Sequence, residues 1–160
     1  MEITEQLAEA FLPDVARTLN NLGVLQANKN EFDKAEISYN RALEIREKLA
    51  AINPEAFLPN VATTLNNLGN LQYNKNEFYK AEISYNRALE ITEQLADINP
   101  EAFLPDVAYT LNNLGILQRN KNDLDKAESS FNRALEIYEK LAEKYPAAYL
   151  LSLASIKILL

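Results

Sequence analysis

The side chains best suited to chemistry in this chain are amides. Asn20-Asn21, Asn66-Asn67 and Asn112-Asn113 recur every 46 residues inside a repeated Leu-Asn-Asn-Leu-Gly. An asparagine side chain offers donors and an acceptor together, so it can pair with one peptide unit whatever that unit's side chain. Each such bond contributes about 0.5–1.5 kcal/mol net, so a row of them supports affinity of about micromolar order. Interleaved with the pairs are positions that change in every copy: Arg17/Thr63/Tyr109, Val24/Asn70/Ile116 and Ala27/Tyr73/Arg119. A third constant row, Asn28/Asn74/Asn120, lies nearby. Steps of seven and then three residues put the changing positions on a single helical stripe. The chemistry implied is recognition of another chain, with constant amides on its backbone and varied residues on its side chains.

Other chemistry is largely excluded. The chain has no cysteine and no histidine, which removes thiol nucleophiles, histidine-based triads and the zinc sites built from those ligands. Its three glycines all sit in the repeated pentapeptide, so no glycine-rich phosphate loop is available. Paired carboxylates such as Glu2 and Glu5 fall on exposed helix faces, where nothing shifts a pKa toward catalytic use. No catalytic residue, metal or cofactor is expected, and the chain does not read as an enzyme. A net charge of −7 argues against nucleic acid, which calls for a basic stripe. No apolar run approaches the roughly 20 residues that span a bilayer, so no membrane is expected. The acidic start, Met1-Glu2-Ile3-Thr4-Glu5, lacks the basic region of a signal peptide, and a cytoplasmic location is expected.

The elements that position these residues are helices, two per copy. In the middle copy Asn53-Pro54-Glu55 supplies an N-cap, a first-turn proline and a first-turn acid. Pro59 leaves two alternatives: the helix begins there, or it tolerates a distorted first turn. Val61, Leu65, Leu68 and Leu71 share one arc with Gln72 among them and Gly69 beside it, a place for close helix approach. Gln72 is expected to bond a backbone group between helices. Asn74-Lys75-Asn76 ends this helix, because asparagine accepts the left-handed conformation of a tight turn. A second helix is predicted from about Glu77 to Ile98, burying Phe78, Ala81, Tyr85, Ala88, Leu89, Leu95 and Ile98.

Leu65, Leu68-Gly69, Ala81, Tyr85 and Ala88 match the signature positions of the tetratricopeptide repeat (TPR), which this spacing resembles. Leu19, Leu22-Gly23, Ala35, Tyr39 and Ala42 match in the first copy, as do Leu111, Leu114-Gly115, Ala127, Phe131 and Ala134 in the third. The Leu-Asn-Asn-Leu phrase and the longer repeat resemble the subgroup that includes kinesin light chain. The resemblance implies an all-α, right-handed α-solenoid of stacked antiparallel hairpins: repeats at about 9–54, 55–100 and 101–146, with partial helices at 1–8 and 147–160. Glu2 to Ala8 repeats Glu90 to Ala96, the tail of a second helix, so the chain starts on the stump of an earlier repeat fused toward the first helix. The other end, with Leu150, Leu151, Leu153, Ile156, Ile158, Leu159 and Leu160, is too apolar for a solvated cap.

In that family the arc opposite the apolar one is the concave surface, where extended peptides lie. The peptide-binding set expected here is Arg17, Asn20, Asn21, Val24, Thr63, Asn66, Asn67, Asn70, Tyr73, Asn74, Tyr109, Asn112, Asn113, Ile116 and Arg119. Residues 9–50 and 55–96 agree at 35 of 42 positions, so the few differences stand out as candidates for selectivity. The competing reading has one asparagine of each pair tying adjacent helices together, with the changing positions drifting freely. Second-helix changes at Arg46/Thr92/Tyr138 and Lys48/Gln94/Lys140 read as outer surface. The function expected is a protein-interaction module binding a peptide or partner segment; the alternative is a scaffold forming a homo-oligomer through its apolar C-terminal helix.

Overall fold

The computed structural model describes the backbone of residues 2–159 and the side chains of residues 9–159. The expected exposure of Glu2 and Glu5 and the apolar character of Leu160 fall outside those side chains. Seven helices follow one another: α1 (Glu2–Asn28), α2 (Phe32–Ile52), α3 (Pro54–Asn74), α4 (Phe78–Ile98), α5 (Pro100–Asn120), α6 (Leu124–Lys144) and α7 (Pro146–Leu159). No strand occurs among the described residues. The chain divides into two compact units, residues 1–77 and 78–160.

Local chemistry sets the helix ends. The Asn53 side chain accepts from the Ala56 amide, and Asn99 accepts from Ala102, each with proline in the first helical position. At the other end Asn30, Asn76 and Asn122 adopt φ of 58°, 60° and 63°. The next residue's amide then reaches back five residues, as from Glu77 to the Gln72 carbonyl at 2.8 Å, closing a Schellman turn. The helices run unbroken through Pro13, Pro59 and Pro105, which resolves the alternatives left by Pro59. Residues 2–8 continue directly into the rest of α1 as one helix.

In unit 1, α2 packs between α1 and α3; in unit 2, α5 packs between α4 and α6, and α7 closes on α6. Small residues set the spacing. A Cβ added at Gly23 would stand 2.6 Å from the Tyr39 ring, and one at Gly115 would stand 2.5 Å from the Phe131 ring. The core of unit 2 gathers Val107, Ala108, Leu111, Ala134, Tyr138, Leu141 and Ile156.

The two chain ends leave apolar faces open. Leu22 is 41% exposed, whereas its counterpart Leu114 is 2% exposed. The difference has a simple cause: α4 precedes and packs on α5, and no helix precedes α1 among the described residues. On α7, Leu150, Leu151 and Ile158 face solvent. Ile98 departs from its expected place in the buried stripe and is 83% exposed, because α4 ends there and the chain turns away through Asn99-Pro100.

Candidate functional site

The first helices carry the expected recognition residues, and their surroundings separate them into groups. Arg17, Asn21, Val24, Thr63, Asn74, Tyr109 and Arg119 are exposed, as are Asn28 and Asn120. Asn67, Asn70, Tyr73, Asn112, Asn113 and Ile116 are half-buried. Asn20 and Asn66 are buried. Arg17 donates to Asp14 at 2.8 Å, Thr63 donates to the Pro59 carbonyl, and the Arg119 guanidinium stands 6.0 Å from the centre of the Phe131 ring.

Burial of Asn20 corrects the picture of a uniform open ladder. Its Oδ1 accepts from Thr64 Oγ1 at 3.3 Å and from Asn67 Nδ2 at 3.2 Å, both on α3. The amide therefore ties two first helices together in unit 1. Its counterpart in unit 2 differs: Asn112 Oδ1 is buried and has no hydrogen-bond partner. The 46-residue register explains why. Thr64 corresponds to Ile156 and Asn67 to Leu159, so α7 has lost both donors that satisfy Asn20.

A second correction concerns Arg46/Thr92/Tyr138, expected on the outer surface. All three are buried. α2 is covered by both α1 and α3, and α6 by both α5 and α7, so the buried arc of each is wider than its apolar residues suggest. Arg46 donates through Nη1 to the Asn60 carbonyl at 2.9 Å and to Thr64 Oγ1. Thr92 donates back to the carbonyls of Ala88 and Leu89 in its own helix. Tyr138 packs on Tyr149 with ring centres 6.3 Å apart and hydrogen-bonds Ser152; burial, followed by the neighbouring Tyr109 and Tyr149, raises its hydroxyl pKa. The signal was present in the sequence, since 39, 42, 46 and 50 follow helical spacing.

Gln26 and Gln118, at the positions equivalent to Gln72, accept from the hydroxyls of Ser38 and Ser130, each at 2.7 Å. These bonds join the two helices of one hairpin.

Two clefts result. In unit 1 a cavity of about 240 Å³ opens among α1, α2 and α3, lined by Pro13, Asp14, Arg17, Arg46, Leu49, Phe57 and Asn60. In unit 2 another of about 240 Å³ is lined by Tyr109, Asn112, Tyr138, Leu151, Ser152, Ser155 and Ile156. The same two repeat positions face each cleft, and they change together: Arg17 with Arg46 in the first copy, Tyr109 with Tyr138 in the third. The second copy carries Thr63 and Thr92. This matched switch, 29 residues apart, was readable in the sequence but has meaning only once both positions line one cavity.

Ion pairs fasten helix to helix within each unit. Lys75 reaches Asp33 at 3.3 Å and Glu36 at 2.5 Å; hydrogen bonding to Glu36 is the main cause of its raised pKa. Lys121 pairs with Glu82, and Lys144 with Glu101. No cluster of three metal-ligating side chains occurs among the described residues, and no described helix is long and apolar enough to cross a membrane.

Capped helix pairs with small-residue contacts, repeated at a fixed period, define an all-α repeat protein of the solenoid class. The chain belongs to the tetratricopeptide repeat family: one family profile matches residues 60–140 and another matches residues 16–49. Its structure is similar to that of BtubC (BKLC) from P. vanneervenii, with a TM-score of 0.68 and 31% identity, covering 79% of this chain and 48% of that one. This chain therefore spans about half the length of that relative. The N-terminal domain of stress-induced protein-1 (STI-1) from C. elegans shares the fold, with a TM-score of 0.61 at 22% identity over 82% of this chain and 95% of that one. Comparison with curated proteins gives no match. Tetratricopeptide repeats are non-catalytic interaction scaffolds, and this chain is a protein–protein interaction module.

Proposed function

We propose that the chain binds an extended segment of a partner protein along the open side of its first helices, with a cleft in each unit reading side chains. The observation that carries this reading is the paired switch. The first and third copies agree at 34 of 42 positions over 9–50 and 101–142, yet Arg17 with Arg46 gives way to Tyr109 with Tyr138 as a set, and each set lines a cleft. Drift at tolerant surface sites would not reach buried positions, where most substitutions cost about 0.5–3 kcal/mol. The unsatisfied Asn112 carbonyl supports the same reading. Leaving a buried acceptor unmet costs about 1–3 kcal/mol, and an incoming peptide N–H is the donor that would relieve it. In this reading the exposed amides, Asn21 and Asn74 among them, meet the partner's backbone, while Asn20 serves the frame.

Selection of random displayed peptides against the purified chain tests the proposal. Enriched peptides should lose binding to variants carrying Arg17→Ala, Asn21→Ala or Tyr109→Ala, all at exposed positions. Failure to enrich any peptide, or enrichment indifferent to all three changes, would refute it. A second reading, self-association, is favoured by the exposed Leu150, Leu151 and Ile158 on α7. Light scattering that shows a dimer lost in Leu151→Glu would support it.

A further inference from the structure

We infer that the cleft of unit 2 is a cation site, which holds the ammonium of a lysine side chain on the bound partner against its tyrosine rings and Asp106. The inference deepens the recognition reading and rests on it for the peptide nature of the partner. The three copies treat one acid differently. In the first copy Asp14 pairs with Arg17 at 2.8 Å, one turn further along α1. The second copy has neither charge, with Asn60 and Thr63 in the same places. The third copy keeps the acid as Asp106 and replaces its cation by Tyr109. Asp106 enters no ion pair among the described residues, and no cation lines the cleft. A carboxylate with its charge unmet is thus left beside a cavity.

The walls of that cavity suit an organic cation. Its volume of about 240 Å³ is bounded by Tyr109 and Tyr138, the Asn112 amide, two serine hydroxyls and the apolar Leu151 and Ile156. Tyr149 adjoins Tyr138, with ring centres 6.3 Å apart. After burial, the groups that raise the Tyr138 pKa are Tyr109, Tyr149 and Asp106, so three rings and the carboxylate gather about one place. Aromatic faces carry negative potential and attract an ammonium within about 6 Å, most strongly where water is displaced. The matched switch from Arg17 and Arg46 to Tyr109 and Tyr138 removes both charges that would repel it. The buried Asn112 Oδ1, which has no donor, sets the other end of the site. Asp106 precedes it by six residues on α5, about 9 Å along the helix axis. A lysine spans that distance: its backbone N–H meets the amide oxygen, its four-carbon stem follows the apolar wall, and its ammonium reaches the acid.

The test follows the Tyr138 ring resonances by NMR in the full chain. The probes are a doubly blocked alanine tetrapeptide with one lysine and its acetyl-lysine analogue, which keeps the stem and the N–H groups and loses the charge. The lysine probe should displace the resonances, and the acetyl-lysine probe should need at least about ten times the concentration, the loss expected for one charge-assisted contact. Asp106→Asn should abolish the response yet raise the melting temperature, because it removes an unmet charge. Tyr109→Arg, which restores the pairing of the first copy, should abolish the response by supplying the cation from within. Glu143→Gln removes the same charge as Asp106→Asn from an exposed site outside the cleft and should leave the response intact. No displacement up to about 50 mM probe, weaker than any useful subsite, would overturn the proposal. So would equal displacement by the acetyl-lysine probe, a response that Asp106→Asn retains, or an equal loss in Glu143→Gln. Selected peptides that bind without moving Tyr138 would sink this site and leave the recognition reading standing. Lysine binding with no peptide selected would keep the cation site and remove the recognition reading.

Discussion

Replacing one asparagine by leucine should have opposite effects at two equivalent positions. At Asn112 the buried Oδ1 has no donor, and an unmet acceptor costs about 1–3 kcal/mol. Leucine has nearly the same shape, removes the acceptor and adds apolar surface beside Ile156, so Asn112→Leu should stabilise unit 2 by about 1–3 kcal/mol. At Asn20 the same change removes the acceptor for Thr64 Oγ1 and Asn67 Nδ2. Two bonds of about 0.5–1.5 kcal/mol each are lost, so Asn20→Leu should destabilise unit 1 by about 1–3 kcal/mol. In a chain of 160 residues, 1 kcal/mol moves the melting temperature by about 2–4 °C, so the two variants should separate by several degrees on either side of the parent. Repeat proteins unfold in parts, so urea midpoints should be read with amide exchange in α1 and α5, which assigns each shift to its unit. The stabilised Asn112→Leu should also lose affinity for selected peptides. Two shifts of the same sign would show that the two amides do equivalent work, and the argument from lost donors would fail.

Gly115→Ala should destabilise by about 1–3 kcal/mol in urea denaturation, because the new Cβ meets the buried Phe131 ring at 2.5 Å. Leu111→Ala opens a cavity in the unit 2 core and should cost about 2–5 kcal/mol, whereas Leu22→Ala, at a site 41% exposed, should cost less than about 1 kcal/mol in the same assay. Burial raises the Asp106 carboxyl pKa. A raised folded-state pKa means that stability falls as pH rises through it. Asp106→Asn should therefore stabilise at neutral pH and change nothing in acid, where the carboxyl is already protonated; an equal effect at both would refute the assignment.

Much of this fold was legible because its signals are local. The Asn-Pro starts and the left-handed Asn30, Asn76 and Asn122 depend only on near neighbours, and each appears three times or nearly so. Gly23 and Gly115 likewise announced close contact, although the partners, Tyr39 and Phe131, lie 16 residues away. What the sequence concealed is which polar residues face inward. Arg46 looks like a surface residue by type, and only the packing of α2 between α1 and α3 buries it. Asn20 and Asn21 are adjacent and identical, yet one is tied to α3 and the other is exposed. Nothing local separates them; the donors come from 44 and 47 residues downstream.

That dependence on the following helix is how a nearly constant repeat yields unlike clefts. Asn20 draws its donors from the next first helix and Asn112 finds none on its own, so the identity of that helix decides whether the amide is structural or available. With Thr64 and Asn67 ahead of it, Asn20 is consumed. With Ile156 and Leu159 ahead of it, Asn112 is released, and the same exchange makes the cleft wall apolar, with Tyr109, Tyr138 and Leu151 alongside. Unit 1 follows the opposite course, keeping its amide satisfied and burying Arg46 with no ion pair among the described residues. In the proposed reading the unit 2 cleft suits an apolar side-chain stem with a neighbouring N–H, whereas the unit 1 cleft, lined by Arg17 and Arg46, suits a different group.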